Sequence, residues 1–123
     1  MSTGLLLAAA LLASTAVAHS FLGERYILVR LFRRSDLPRL FGSDWFTRRT
    51  LRFAWHLTSI AWLGFAAVLL LLAQPGAPQA NSILRAAGAT FVVTAAITAL
   101  ASNGRHLALP AFLAVGLLAW FAN

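Results

Sequence analysis

The sequence predicts an all-α integral membrane protein: a bundle of four transmembrane helices, N-out and C-out, with an amphipathic Arg-rich cytoplasmic loop between helices 1 and 2. Three observations predict it. No charge interrupts residues 1–22, and further apolar runs follow at 53–73, 86–101 and 107–122. Hydrophobic residues make up 60% of the 123 and charged residues 11%, where soluble proteins carry about a quarter charged. Eight of the ten Arg, and all three acids, fall between the first two runs.

A crossing helix needs about 20 residues at 1.5 Å each. On that measure a single four-helix transmembrane domain is expected, with spans at about 3–22, 52–73, 83–101 and 105–122 and a cytoplasmic loop at 23–51. Within the first run, Ala16-Val17-Ala18 before His19 resembles a signal-peptidase site. No cation precedes the run and the Arg cluster follows it, so an uncleaved first span with its N-terminus outside is expected.

The loop mixes Arg with Tyr26, Leu31, Phe32, Phe41, Trp45 and Phe46, a composition too apolar for a disordered linker. Residues 26–34 can continue span 1 as an interfacial helix. Ser35-Asp36-Leu37-Pro38 breaks it, and Ser43 or Asp44 can cap the next helix. Arg25, Arg30, Arg33, Arg34, Arg48, Arg49 and Arg52 are placed for contacts with anionic lipid headgroups, each worth about 1 kcal/mol. Trp45 and Trp55 fall at the same interface and Trp120 at the opposite one.

The uncharged, turn-rich connector 74–82 makes a short loop, with Ser82 near the cap of span 3. Residues 102–106 form a tight turn, from which span 4 starts with Pro110 tolerated near its beginning. Counting Arg by side gives nine against one, Arg85 being the exception, and this bias sets the orientation. It also explains the net charge of +7 without nucleic acid. Arg to the exclusion of Lys is a composition of GC-rich genomes and carries no functional weight; the loop and bundle features suit a bacterial inner membrane, the expected location. With no Cys, there is no disulfide, thiolate ligand or cysteine nucleophile.

Chemistry, if there is any, rests on three His. His19, His56 and His106 all fall at the cytoplasmic boundary in this topology, with Glu24 about a turn beyond His19 and Asn103 and Arg105 at the same level. Such a group can ligate a metal, hold haem or a quinone headgroup, or relay protons. No His-x-x-x-His or Glu-x-x-His pair occurs, so the expectation is that two of the three approach each other without a metal. Span 3 carries Ala86, Thr90, Thr94, Thr98 and Ser102 at four-residue intervals, a small and partly polar stripe suited to close helix packing. A hydroxyl-lined channel or carrier is the functional alternative. Gly4, Ala8 and Thr15 on span 1, or Gly64 on span 2, are the partner residues expected for the stripe.

No acid lies inside any span, and no phosphate loop, Gly-x-Ser-x-Gly elbow or paired carboxylates occur. In size and span number the chain looks like the small multidrug resistance exporters and the dual-topology fluoride channels. The former depend on a Glu in span 1, where this chain has Ser14, Thr15 and His19. The latter carry Thr-Thr-Phe-Ser in span 3, where this chain reads Ala-Thr-Phe-Val-Val-Thr. The expected role is a non-enzymatic accessory or self-associating bundle, with a His-based metal, haem or quinone site and a Thr-lined channel as the alternatives.

Overall fold

The computed structural model describes residues 2–76 and 79–122, and over these it is helical, without a strand. Helix α1 spans Thr3–Leu31, α2 Trp45–Ala73, α3 Ala80–Ser102 and α4 Ala108–Phe121. Three of them, α1, α2 and α3, are long and apolar enough to cross a membrane, at 29, 29 and 23 residues. The fourth is apolar but has only 14 residues. That is about 21 Å at 1.5 Å per residue, short of a hydrocarbon core of about 30 Å.

Each boundary has a local cause. The first helix continues past its apolar run through a wider π-type turn, Gly23–Leu28, and ends at Leu31, short of the expected 34, in tight turns where the Arg33 and Arg34 N–H groups bond the Arg30 and Leu31 carbonyls at 3.2 and 3.1 Å. The second begins at Trp45, directly after the Ser43-Asp44 pair expected to cap it and seven residues ahead of the apolar span expected from 52. Ser43 Oγ accepts the Trp45 N–H at 3.4 Å, and the Asp44 side chain makes no capping bond. Gln79, in extended conformation, precedes α3, which leaves Ser82 in the first turn instead of at the cap. Of the connector, residues 77 and 78 lie outside the described residues.

The start of α4 is three residues later than expected, because the end of α3 consumes the turn. Asn103 and Gly104 both take positive φ, 50° and 73°, and the Gly104 N–H bonds the Ala99 carbonyl at 2.9 Å. This left-handed pair closes the helix and redirects the chain. His106 Nδ1 then accepts the Ala108 N–H at 3.2 Å, satisfying one of the first free donors of α4. Pro110 sits in that first turn, where its missing N–H costs nothing.

The helices pack antiparallel and in chain order, α1 on α2, α2 on α3 and α3 on α4. Among the described residues the backbones of α1 and α4 do not approach each other, so the four form an open row, not a closed bundle. Small residues make each seam. Ala9, Ala16, Ala66 and Ala73 are buried between α1 and α2. Gly64 of α2 faces Thr90 of α3, where an added Cβ would lie 2.5 Å from Thr90 Oγ1. Gly88 and Gly116 bring α3 and α4 together so closely that a Cβ on Gly88 would lie 2.9 Å from the Gly116 carbonyl oxygen. Thr94, Thr98 and Ser102 are buried, and Ala86 and Thr90 half-buried.

The link between α1 and α2 is held by Arg48 and by Thr47, whose hydroxyl donates to the Pro38 carbonyl at 2.8 Å. Arg48 bonds Asp44 at 2.6 Å, the Arg34 carbonyl at 2.8 Å, and the Phe32 carbonyl. The Arg48 hydrogen bond holds the Asp44 carboxyl below its ordinary range, and Arg34 does the same for Asp36, lowered to about 2. At the tip, Leu40 and Ser43 pair across a two-residue turn with Phe41 and Gly42 at φ 56° and 86°.

Candidate functional site: a polar seam between the first two helices

On α1, His19, Ser20 and Glu24 lie within little more than one turn. On α2, Arg52, His56 and Ser59 recur at four- and three-residue spacing and so share a face. Antiparallel packing sets the two groups side by side. Starting from the Arg-rich end, Arg52 Nη2 lies 3.0 Å from Glu24 Oε1, and Glu24 Oε2 lies 3.2 Å from His56 Nε2. His56 Nδ1 is 2.9 Å from Ser20 Oγ, Ser20 Oγ is 2.8 Å from Ser59 Oγ, and Ser59 Oγ is 3.1 Å from His19 Nδ1. Six side chains form one unbroken line of polar contacts.

The line runs from surface to interior. Glu24 and Arg52 are partly open, with side-chain exposures of 34% and 50%, whereas Ser59 is buried at 4%. It also passes through the helix pair. With Ser59 facing α1, about 100° per residue puts His56, Ile60 and Leu63 to one side of it and Trp55 and Trp62 to the other. His56, Ser20 and Glu24 border a groove of about 510 Å³ lined also by Val17, Phe21, Ile60 and Leu63, and the surface it presents is almost wholly apolar. His19 lies on the opposite side, stacked on Trp55 at 4.6 Å and 6°, with the edge of Trp62 at 5.0 Å. The Trp55 indole N–H donates to the His19 carbonyl at 3.1 Å.

Gly23 makes this possible. A Cβ there would lie 2.1 Å from Trp55 Nε1, so only the bare backbone admits the indole. The π-type turn starts at this residue, in keeping with the placing of such turns at functional positions.

His106 stands apart from the seam. Its ring stacks on Phe46 at 6.2 Å and meets Phe53 edge-on at 5.3 Å, and Nδ1 serves the α4 start. Asn103 and Arg105 are exposed. Of the four residues singled out for a cofactor, the structure therefore joins His19, Glu24 and His56, and His19 reaches His56 only through two serines. Among the described residues no group of three His, Asp or Glu is arranged to hold a metal ion.

Of the arginines expected to meet headgroups, Arg48 and Arg52 turn to protein carboxylates, Arg34 pairs with exposed Asp36 at 2.5 Å, and Arg49 lies over the Trp45 ring. Arg25 lies over Tyr26, while Arg30 and Arg33 are exposed. On α3, the hydroxyls of Thr90, Thr98 and Ser102 donate to carbonyls one turn back, at 2.8, 2.8 and 2.6 Å.

Ser20, Ser59, Arg52 and Trp55 were not legible as one site. Serine in an apolar helix ordinarily bonds its own preceding turn, as Ser14 does to the Ala10 carbonyl. The faint signal was periodicity: Ser59 follows His56 by three, and Glu24 follows Ser20 by four. Comparison with protein-family models, with curated proteins and with solved structures yields no match.

Proposed function

We propose that the chain is a multi-pass protein of a bacterial inner membrane, with four crossings and both termini outside, working as a non-enzymatic component of a membrane assembly. The observation that carries this is the pairing of three long apolar helices with nine Arg placed at one end of the row and one at the other. The fourth crossing, by the short α4, is completed by local thinning of the bilayer, with Trp120 at the outer boundary. Anionic headgroups meet the Arg30 and Arg33 surface, and the exposed apolar flank of α1 (Leu7, Leu11, Phe21) faces lipid, a membrane partner or a second copy. Single cysteines test the topology in intact cells. Gly76→Cys is expected to react with an impermeant maleimide and Arg39→Cys to be protected; equal labelling would overturn the orientation.

A second reading, of the groove beside the seam as a ligand site, is favoured by its apolar lining of Val17, Phe21, Ile60 and Leu63 next to His56 and Glu24. Both His56 ring nitrogens are engaged, which leaves no free pair of imidazoles for haem or metal. The groove presents an almost wholly apolar surface, so the fitting ligand is an apolar chain or ring, such as the tail of a quinone or a lipid. Solvent extraction of protein purified in mild detergent is expected to release such a molecule, and its absence would remove this reading.

A further inference from the structure

The seam connects two imidazoles that do not touch, and the connection consists only of hydroxyl groups. Hydroxyls both donate and accept, so such a line can hold its protons in two directions. In one arrangement His56 is neutral with its proton on Nε2, donated to Glu24. Its Nδ1 accepts the Ser20 hydroxyl, Ser20 Oγ accepts the Ser59 hydroxyl, and Ser59 Oγ accepts Nδ1–H of His19. In the other, His56 carries both ring protons and every donor along the line is reversed, ending with the Ser59 hydroxyl on His19 Nδ1 and the His19 proton on Nε2. Heavy-atom separations of 2.9, 2.8 and 3.1 Å suit both.

We propose that Ser20 and Ser59 form a proton path joining His56, on one side of the α1–α2 pair, to His19 on the other. The transfer balances without any other reactant. From doubly protonated His56, the Nδ1 proton passes to Ser20 Oγ as the Ser20 proton passes to Ser59 Oγ and the Ser59 proton to His19 Nδ1. Both hydroxyls end neutral, His56 keeps only its Nε2 proton, and the positive charge now rests on His19. Running the steps backwards restores the start.

The surroundings give the two ends different tasks. Glu24, fixed by Arg52, holds the Nε2–H of His56 in both states and opens to the Arg-rich surface, so this end exchanges with water. Among the described residues no hydrogen bond or ion pair joins the ring of His19 to a charged group. It is held flat against Trp55, its Nδ1 fixed on Ser59, and among the described residues nothing bonds its Nε2. The inference goes beyond the proposed role and does not depend on which ligand the groove takes.

The test is 15N NMR of the histidine rings in the full chain, in vesicles of phosphatidylethanolamine and phosphatidylglycerol. In the unsubstituted protein His19 is expected to change tautomer over the pH interval in which His56 takes up its second proton, the two rings titrating in shared steps. Ser59→Ala and Ser20→Ala should separate the two titrations, Ser20→Thr should restore the coupling, and Ser14→Ala should leave it intact. A His19 tautomer that stays fixed while His56 titrates, or coupling that survives both alanines, overturns the proposal. Should Ser59→Ala not fold, Ser20→Ala against Ser20→Thr decides alone, since the two differ in the hydroxyl at a half-buried position.

Discussion

Gly23 shows how one missing Cβ can organise a site. It admits the Trp55 indole, the indole supports the His19 ring, and the ring is thereby fixed on Ser59. Gly23→Ala is expected to displace the indole and cost about 1–3 kcal/mol, as overpacking does elsewhere, measurable by unfolding in detergent with tryptophan emission as the probe. Arg48 has an equivalent position in the link. Asp44 is depressed by its Arg48 bond, so its contribution is complete above its ordinary value of 3.8 and is lost as pH falls through the lower folded value. Limited proteolysis within residues 32–44 is therefore expected to be slow at neutral pH and to accelerate only in strong acid. Arg48→Ala should make it fast throughout. Asp36, lowered to about 2 but in a pair with side-chain exposures of 62% and 63%, adds little to this.

At the scale of helices, the seams differ in what they tolerate. Gly88 meets backbone, the Gly116 carbonyl and the Trp120 nitrogen, both at 2.9 Å, so an added methyl must push α3 and α4 apart. Gly88→Ala is expected to lower the unfolding midpoint in detergent clearly, whereas Gly4→Ala, with nothing within 4 Å, should be neutral or slightly stabilising. Thr94→Leu should likewise be costlier than Val93→Leu, since Thr94 is 8% exposed and Val93 47%. The helices themselves were legible because unbroken apolar runs leave few alternatives, and the continuation of the first one past residue 22 could be read from the spacing of Arg30, Arg33 and Arg34. The later start of α4 was not, because it depends on Asn103 adopting a left-handed conformation that its sequence permits but does not demand. The π-type turn left no mark at all: it answers to Trp55, thirty-odd positions away.

For the molecule as a whole, the row order means that α1 is joined to the rest through α2 and the link alone. Small residues at three successive seams could be expected from composition, but whether the row closes on itself depends on angles between helices that no local pattern records. The polar line belongs entirely to one pair, and its histidines were visible while its serines looked ordinary. Native-state hydrogen exchange is therefore expected to divide the chain into two protected units, residues 3–73 and 80–121, and Gly88→Ala should loosen the second without loosening the first.

The confinement of the polar line to α1 and α2 bears on how the chain is made. Every group in it finds its partner within residues 19–59, and the Ser2 N–H already meets the Ala73 carbonyl at 2.9 Å. A nascent chain that has emerged only as far as Gln74 thus contains a finished hairpin in which no imidazole or hydroxyl of the line need enter lipid unaccompanied. Chains halted there during synthesis are expected to be fully integrated and resistant to alkaline extraction. With Ser20 and Ser59 both replaced by Ala, His56 keeps Glu24 while His19 loses its hydrogen-bond partner on α2, and the halted hairpin should be extracted more readily than the unsubstituted one.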